Sequence, residues 1–453
     1  MLCERLLTMD SSSNYVKWFR HSSPYIHHHR DKTMVMMLTG EAVASDNFAN
    51  IIHDIALLNG LGVKLVLVHG ARPQIDQRLQ AAGKEVRLHH DQRITSPDLM
   101  GDVIDAVANV RTEFEARLSM SLANTPMHGA KIRVVSGNFV MAKPLGVLDG
   151  VDMGLTGELR RVDSEGIQQQ LALENIVLVT NLGYSPTGEI FNLSVEEVAV
   201  NVATALNADK LVLFGAQQGI RDSQGELRSE LLASTAKRLV SHYLANIDDP
   251  TQPHSEIACL LGAAADACER GVPRCHLVSY QEDGALLTEL FTRDGYGTMV
   301  SRHSYEQVRE ATIDDVGGLI ELIAPLEQAG VLVRRSRELL ESEIERFSVI
   351  ERDNSIIGCA ALYPFHDEGV GELAGIAVSD EYRGGERGDS LLEHITERAQ
   401  AIGLKELFVL TTRTAHWFLE RGFVERELSA LPTERQALYN FQRNSKVFFK
   451  ILD

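Results

Sequence analysis

Three groups of residues in this chain have types and spacing that could do chemistry together. The first is the loop Arg383-Gly384-Gly385-Glu386-Arg387-Gly388-Asp389, preceded by the apolar run Leu373, Ile376, Ala377, Val378. It is followed by Leu391, Leu392, Ile395, Ala399 and Ile402 at helical spacing, with Gly403 placed to stop the helix. A strand that turns through glycine into a helix presents unpaired backbone N–H groups and the positive end of a helix dipole, which suits an anion. Arg383 and Arg387 add full charges, so a pyrophosphate fits. The second and third groups are Arg334-Arg335-Ser336-Arg337 and Arg443-Asn444-Ser445-Lys446. Paired N–H groups of arginine clamp carboxylates, and Ser445 adds a hydroxyl, so a small dicarboxylate is the expected guest. The run at Arg334 also fits a solvated helix start; its combination with Arg443 is what points to a ligand.

These groups need elements to position them. From Lys32 onward apolar strands alternate with amphipathic helices. Strands are expected at Thr33–Leu38, Lys64–Val68, Ile132–Val135, Ile176–Thr180 and Lys210–Phe214. Helices are expected over about Asp46–Asn59, Asp98–Leu118, Glu196–Leu206 and Glu256–Arg270. Such alternation implies an open, mostly parallel αβα sheet, with ligands at the carboxyl ends of its strands, near Thr39-Gly40 and His69–Arg72. After a polar joint at 301–308 a second, mixed α/β domain is expected over 309–453. It opens with a helix carrying Val316, Leu319, Ile320 and Ile323 inward, then a hairpin, Phe347–Glu351 and Ser355–Tyr363, turning at Asn354.

Composition narrows the function. A chain of 453 residues exceeds one core. Its net charge of −19 argues against nucleic-acid or anionic-membrane partners, so any anion site must be a local basic island. No apolar run approaches the roughly 20 residues of a membrane span, and the first residues lack a signal-peptide core. Five cysteines, odd in number and without C-x-x-C spacing, fit reduced thiols and a cytoplasmic protein. His27–His29 lacks the spacing and partners of a metal site and reads as a solvated element end; no metal is expected.

The loop at Arg383, with His416–Phe423 (HWFLERGF) behind it, resembles the GCN5-related N-acetyltransferase (GNAT) family, whose loop binds the pyrophosphate of coenzyme A. Two departures stand out: Glu386 replaces a signature glycine, and Phe418 replaces the tyrosine that in many members protonates the departing thiolate. The stretch 32–300 resembles the amino-acid kinase fold through TMVMMLTGEAV, LVLVHGARPQI, VVSGNFV, IFNLSVEE and ADKLVLF. Here Met37 replaces the phosphate-binding lysine, Ala71 and Arg72 replace glycines, Glu196 replaces an aspartate, and Gln224 stands where a lysine belongs. Phosphoryl transfer depends on positioned positive charge, so the resemblance implies a kinase-like domain without kinase activity.

RCHLVSYQEDGALLTELFTRDGYGTMV resembles the tail of arginine-inhibited N-acetylglutamate kinases, which implies an allosteric arginine site at His276, Glu289, Gly295, Gly297 and Thr298. Pro24-Tyr25-Ile26 matches the N-terminal segment that completes it and builds a hexamer, making residues 1–31 an oligomerisation segment. A salt bridge beside an ordinary glycine turn also fits these residues. The domain order, with LVRRSRELLE and YNFQRNSKV, resembles the bacterial N-acetylglutamate synthase family over nearly the whole chain. That resemblance implies acetyl transfer from acetyl-CoA to L-glutamate, with Arg335, Arg443 and Ser445 on glutamate. It also implies Ile376, Ala377, Val378 and the loop Arg383–Asp389 on the cofactor. Glu372 is the chosen general base, acting through a water, though a solvated strand-end glutamate also fits it; Thr411 is the candidate to hydrogen-bond the leaving sulfur, with solvent the other source of its proton. Gly375 stands where relatives often carry cysteine, which would leave the cofactor wall loose.

Overall fold

The computed structural model describes residues 16, 18–119, 132–222, 224–244, 255–292, 294–302, 306–352, 355–382, 387–439 and 445–452. The chain divides into two compact units, Met1–His303 and Ser304–Asp453.

In the first unit eight strands form one sheet: β1 (Thr33–Leu38), β2 (Lys64–His69), β3 (Val134–Ser136), β4 (Ile176–Thr180), β5 (Lys210–Gly215), β6 (Glu230–Leu232), β7 (Arg274–Ser279) and β8 (Thr298–Ser301). Their order is β6-β8-β7-β5-β1-β2-β4-β3. Every pairing is parallel except β7 with β8. Because helices cover both faces, the central strands are apolar on both sides. Met34, Met36 and Leu38 enter one core with Ile51 and Phe114, while Val35 and Met37 enter the other with Val198 and Leu260. Met37, at the position of a kinase lysine, is thus fully buried core. The helices Phe48–Gly60, Met100–Ser119, Val195–Ala205 and Glu256–Glu269 fall within two residues of the expected bounds. A smaller sheet of Val140–Pro144, Gly157–Val162, Leu182–Tyr184 and Ile190–Asn192 was not anticipated.

The histidine run departs from its reading. His27 and His28 are exposed, but His29 is buried, and its Nε2 lies 2.8 Å from the Leu290 carbonyl. Burial first, then the charge of Lys210, pushes its pKa down to about 3, so it is neutral. This contact fastens the N-terminal helix to the helix Ala285–Phe291, which carries Glu289.

The second unit holds β9 (Gln307–Glu310), β10 (Phe347–Arg352), β11 (Ser355–Phe365), β12 (Val370–Val378), β13 (Glu406–Thr411), β14 (Val424–Arg426) and β15 (Lys446–Ile451). The order is β9-β10-β11-β12-β13-β15-β14, antiparallel except for β12 with β13. Strands β8 and β9 both reach into the segment 301–308 expected as a joint. The β10–β11 hairpin forms as expected, though Asn354 lies outside the described residues. The helix Val316–Gln328 buries Val316, Leu319 and Ile323, leaving Ile320 half-buried. The helix Arg387–Ala401 buries Leu391, Leu392, Ile395 and Ala399 against the sheet. Ile402, expected on that face, lies beyond the helix end and is exposed, because Gly403 (φ +82°) has already turned the chain. No helix among the described residues is long and apolar enough to cross a membrane.

Candidate active site

The parallel ladder between β12 and β13 lasts only from Val370↔Glu406 to Glu372↔Phe408. Beyond that the strands part, and the gap opens into a cleft of about 1050 Å³ lined by Leu373 through Val378 on one side and Val409 through Thr414 on the other. Against β11 the register shifts: Ala361 faces Ala374, but Cys359 faces Ala377. Three steps on β12 thus span two on β11, a bulge that leaves Gly375 and Ile376 without partners in the ladder, beside the cleft. Gly375 takes φ +61°, so the glycine serves the backbone rather than leaving a loose wall. The guanidinium of Arg335 covers this spot, 3.5 Å from where a Cβ would sit, and Cys359 Sγ donates to the Gly375 carbonyl at 3.4 Å.

The helix Arg387–Ala401 begins at the cleft, with Arg387, Gly388 and Asp389 in its wall. Gly388 packs tightly: a Cβ would lie 3.0 Å from the Trp417 ring, which would have to give by a few tenths of an ångström. Arg383, Gly384, Gly385 and Glu386 lie outside the described residues, as does Arg443. Five arginines line the cleft. Arg387 is paired with Glu306, Arg421 with Asp389, and Arg435 with Glu372. Among the described residues the guanidiniums of Arg335 and Arg413 have no ion-pair partner, although the backbone N–H of Arg335 donates to Glu327 Oε1 at 2.9 Å. Ser445 also lines the cleft, and its carbonyl accepts the Tyr439 hydroxyl at 2.7 Å.

Glu372 is buried in the cleft wall, its two oxygens accepting from Arg435 Nε at 2.6 Å and Nη2 at 3.0 Å. Arg435 escaped the sequence reading. It sits on the short helix Thr433–Ala437, and only its place between Leu431 and Tyr439, both buried, marked that segment as folded back on the sheet. Thr411 Oγ1 lies 2.8 Å from Thr414 Oγ1 at the far lip. Phe418 is 1% exposed, edge-on to Trp417 and Phe423, so the missing tyrosine has become a core residue.

In the first unit the residues expected to sense arginine form a buried chain. Lys210 Nζ lies 3.3 Å from His276 Nε2, and His276 Nδ1 lies 2.6 Å from Glu289 Oε1. Lysine only donates, so the ring takes the tautomer that accepts at Nε2 and donates from Nδ1. Burial and the charge of Lys210 keep His276 neutral. Burial opposes ionisation of Glu289. The donor from His276 and the N–H groups of Gly297 (2.8 Å) and Tyr296 (2.6 Å) outweigh it, and its pKa falls to about 2. Gly295 takes φ +67° against this carboxylate. Thr298 turns away, donating to the Arg228 carbonyl at 2.7 Å and accepting from Ile220 N–H. Tyr25 is half-buried against the neighbouring core.

A second cleft, about 1140 Å³, lies at the carboxyl ends of β1 and β2, as expected for a parallel sheet. Its charges run against phosphate. Arg72 is paired with Asp91 at 2.8 Å, Arg93 with Asp76 at 2.5 Å and Arg270 with Asp266 at 3.2 Å. Glu41, Glu196, Glu197 and Glu256 have no basic partner within ion-pair distance among the described residues, and Glu256 is pushed up by burial and then by its acidic neighbours.

Fold and cleft together define a two-domain acetyltransferase, an amino-acid-kinase fold joined to a GNAT fold. Residues 32–279 match the amino acid kinase family and residues 318–423 the acetyltransferase (GNAT) family. The amino-acid acetyltransferase of Azotobacter vinelandii is 58% identical over 443 residues, covering 97% of this chain and all of that protein. That of Pseudomonas aeruginosa is 56% identical with the same coverage. N-acetylglutamate synthase from Neisseria gonorrhoeae, solved with coenzyme A and L-arginine, matches at TM-score 0.87 and 36% identity over 97% of this chain and 99% of that one. The chain belongs to the amino-acid acetyltransferase family.

Proposed function

We propose that this protein transfers the acetyl group of acetyl-CoA to the α-amino group of L-glutamate, giving N-acetyl-L-glutamate and CoA, the entry to arginine biosynthesis. L-Arginine inhibits it through the first unit, which is kinase-inactive. The observation that carries the reading is the parting of β12 from β13 beyond Glu372, with a bulge on one wall and, over its Gly375, the Arg335 guanidinium, which has no ion-pair partner among the described residues.

In this reading Arg335, Arg443 and Ser445 hold the carboxylates of glutamate. The helix start at Arg387, Gly388 and Asp389, with Arg383 through Glu386 before it, holds the pyrophosphate. The N–H of Ile376, outside the ladder, polarises the thioester carbonyl at no reorganisation cost. Glu372 removes a proton from the substrate ammonium through a water. The nitrogen then bonds to the carbonyl carbon as the carbon–sulfur bond breaks, and its second proton is lost to solvent. Thr411 donates a hydrogen bond to the departing sulfur, which takes its proton from solvent. In the first unit the ionised Glu289, with His276, Gly295, Gly297, Thr298 and Tyr25 around it, receives the guanidinium of arginine. Trp18 and Phe19, exposed on the N-terminal helix, suit contact with another copy, consistent with a cytoplasmic homo-hexamer.

The test follows thiol release from acetyl-CoA with and without glutamate, and again with arginine. Glutamate-dependent release that arginine suppresses is expected, and no ADP from ATP and N-acetylglutamate. Arginine binding without thiol release would leave a non-catalytic sensor instead, and ADP formation would overturn the inactive-kinase assignment.

A further inference from the structure

Two short hairpins of the first unit meet at their turns. Leu88–His89 pairs with Gln92–Arg93, and Val147–Leu148 with Val151–Asp152, each closed by a two-residue loop. Both loops take positive φ at both central residues: +46° at His90 and +60° at Asp91, then +50° at Asp149 and +83° at Gly150. That is the backbone of a tight type I′ turn, so the residues at each tip sit on a short, defined loop. Where the tips meet, His90 Nε2 lies 2.7 Å from Asp149 Oδ2, and His89 Nε2 lies 3.8 Å from the same oxygen. The ligand atoms of these three residues all lie within 4.8 Å of one another. Asp91, between them in sequence, is already committed to Arg72 at 2.8 Å.

An exposed histidine–aspartate pair between two loops is commonplace, and it accounts for His90 without any ligand. It does not account for His89. That ring is only 7% exposed, its Nε2 is enclosed, and no hydrogen-bond partner reaches it among the described residues. A hydrogen bond does not span 3.8 Å. A metal ion does, because bonds of about 2.0–2.1 Å to nitrogen and about 2.0–2.2 Å to a carboxylate oxygen let its ligands stand up to about 4 Å apart. The closer contact to His90 has to open by only roughly half an ångström to admit the same ion, and both of its side chains reach solvent and can shift. Two imidazoles with one carboxylate suit a first-row divalent ion such as Zn²⁺, whereas Mg²⁺ and Ca²⁺ take oxygen ligands. The surroundings favour a cation as well: His90 lines the first unit's cleft together with Glu41, Glu196, Glu197 and Glu256.

We propose that His89, His90 and Asp149 bind a divalent transition-metal ion of the zinc class, which clasps the two hairpins together. The Nε2 atoms of two neutral imidazoles and Asp149 Oδ2 supply the electron pairs, water completes the coordination, and one net positive charge remains. The role is structural and independent of the acetyl-transfer reading, since all three ligands belong to the first unit. Sequence spacing does not display such a site, because Asp149 stands 59 positions from His90.

The exposed His27 and His28 are rival takers of metal, so the test uses the full-length protein carrying His27→Asn and His28→Asn. After treatment with a chelator, calorimetric titration with Zn²⁺ should show one ion bound per chain, and titration with Mg²⁺ none. Asp149→Asn and His90→Asn, each added to that background, should weaken binding by at least about tenfold, since even an outer-shell partner of a metal is worth that much. Both variants keep their turns, because asparagine tolerates positive φ and asparagine before glycine is a favoured type I′ pair. Saturating Zn²⁺ should raise the unfolding temperature by a few degrees, a gain that both variants lose. Zinc-edge X-ray absorption should show two imidazole nitrogens on the bound ion. No saturable binding would overturn the site and leave a histidine–aspartate pair with His89 satisfied by buried water. Binding of equal strength in both variants would mean an adventitious ion only and overturn it too. Binding that the variants lose, but that leaves the unfolding temperature unmoved, would overturn the clasp.

Discussion

Glu372→Gln is expected to lower kcat by about 100-fold, the low end of what a positioned general base contributes, while the KM for acetyl-CoA changes little. The substitution does two things that must be separated. It removes the one negative charge that Arg435 meets within hydrogen-bond distance among the described residues, and it turns one of the two oxygens that accept from Arg435 into a donor. Breaking a shielded ion pair costs about 2 kcal/mol where, as here, part of the pair still reaches water. The companion variant Arg435→Gln breaks the same pair but leaves the carboxylate. If Glu372 is the base, both variants should unfold at similarly lowered temperatures, yet only the first should lose most of its turnover. Full turnover in Glu372→Gln would remove it from the mechanism and leave it as the anchor of Arg435.

Gly297→Ala should abolish arginine inhibition and cost about 3 kcal/mol or more in the first unit, the upper end for forcing atoms into a filled space. A Cβ at 297 would lie 1.9 Å from the Leu277 carbonyl oxygen, and a backbone atom has no rotamer into which it can retreat. Strands β7 and β8, antiparallel at Leu277↔Thr298, would have to separate. The 2.8 Å bond from Gly297 N–H to Glu289 would be lost with them. Denaturant unfolding and arginine titration of the same preparation read both effects. Retained inhibition would mean that this glycine turn is not part of the sensor. Basal acetyl transfer should survive at temperatures where the variant is folded, because the chemistry sits in the other unit.

Much of this was legible in the sequence, for reasons of periodicity. Thr33–Leu38 and Ile176–Thr180 carry unbroken apolar runs that only a strand covered on both faces can bury, and both form with the expected bounds. The loop before Leu391 announces a helix start because arginine and glycine there break two apolar patterns of different period. Contacts between distant residues left no such trace. The pairing of Glu372 with Arg435 joins positions 63 apart, and that of Glu306 with Arg387 joins positions 81 apart. Local spacing cannot display either. Gly375 misled for a related reason: a missing side chain looks like a gap, whereas a positive φ is a property of the backbone that letters do not carry. His29 misled because a run of three polar residues hides which one faces inward.

The acidic cleft of the first unit has a physiological corollary. With its arginines already neutralised by aspartates and four glutamates uncompensated, it repels polyphosphate anions. In the reading proposed above, that domain would not answer to the nucleotide pool. If inhibition acts as proposed, carbon entering the pathway would be metered by end product and by thioester supply, independently of the cell's energy charge.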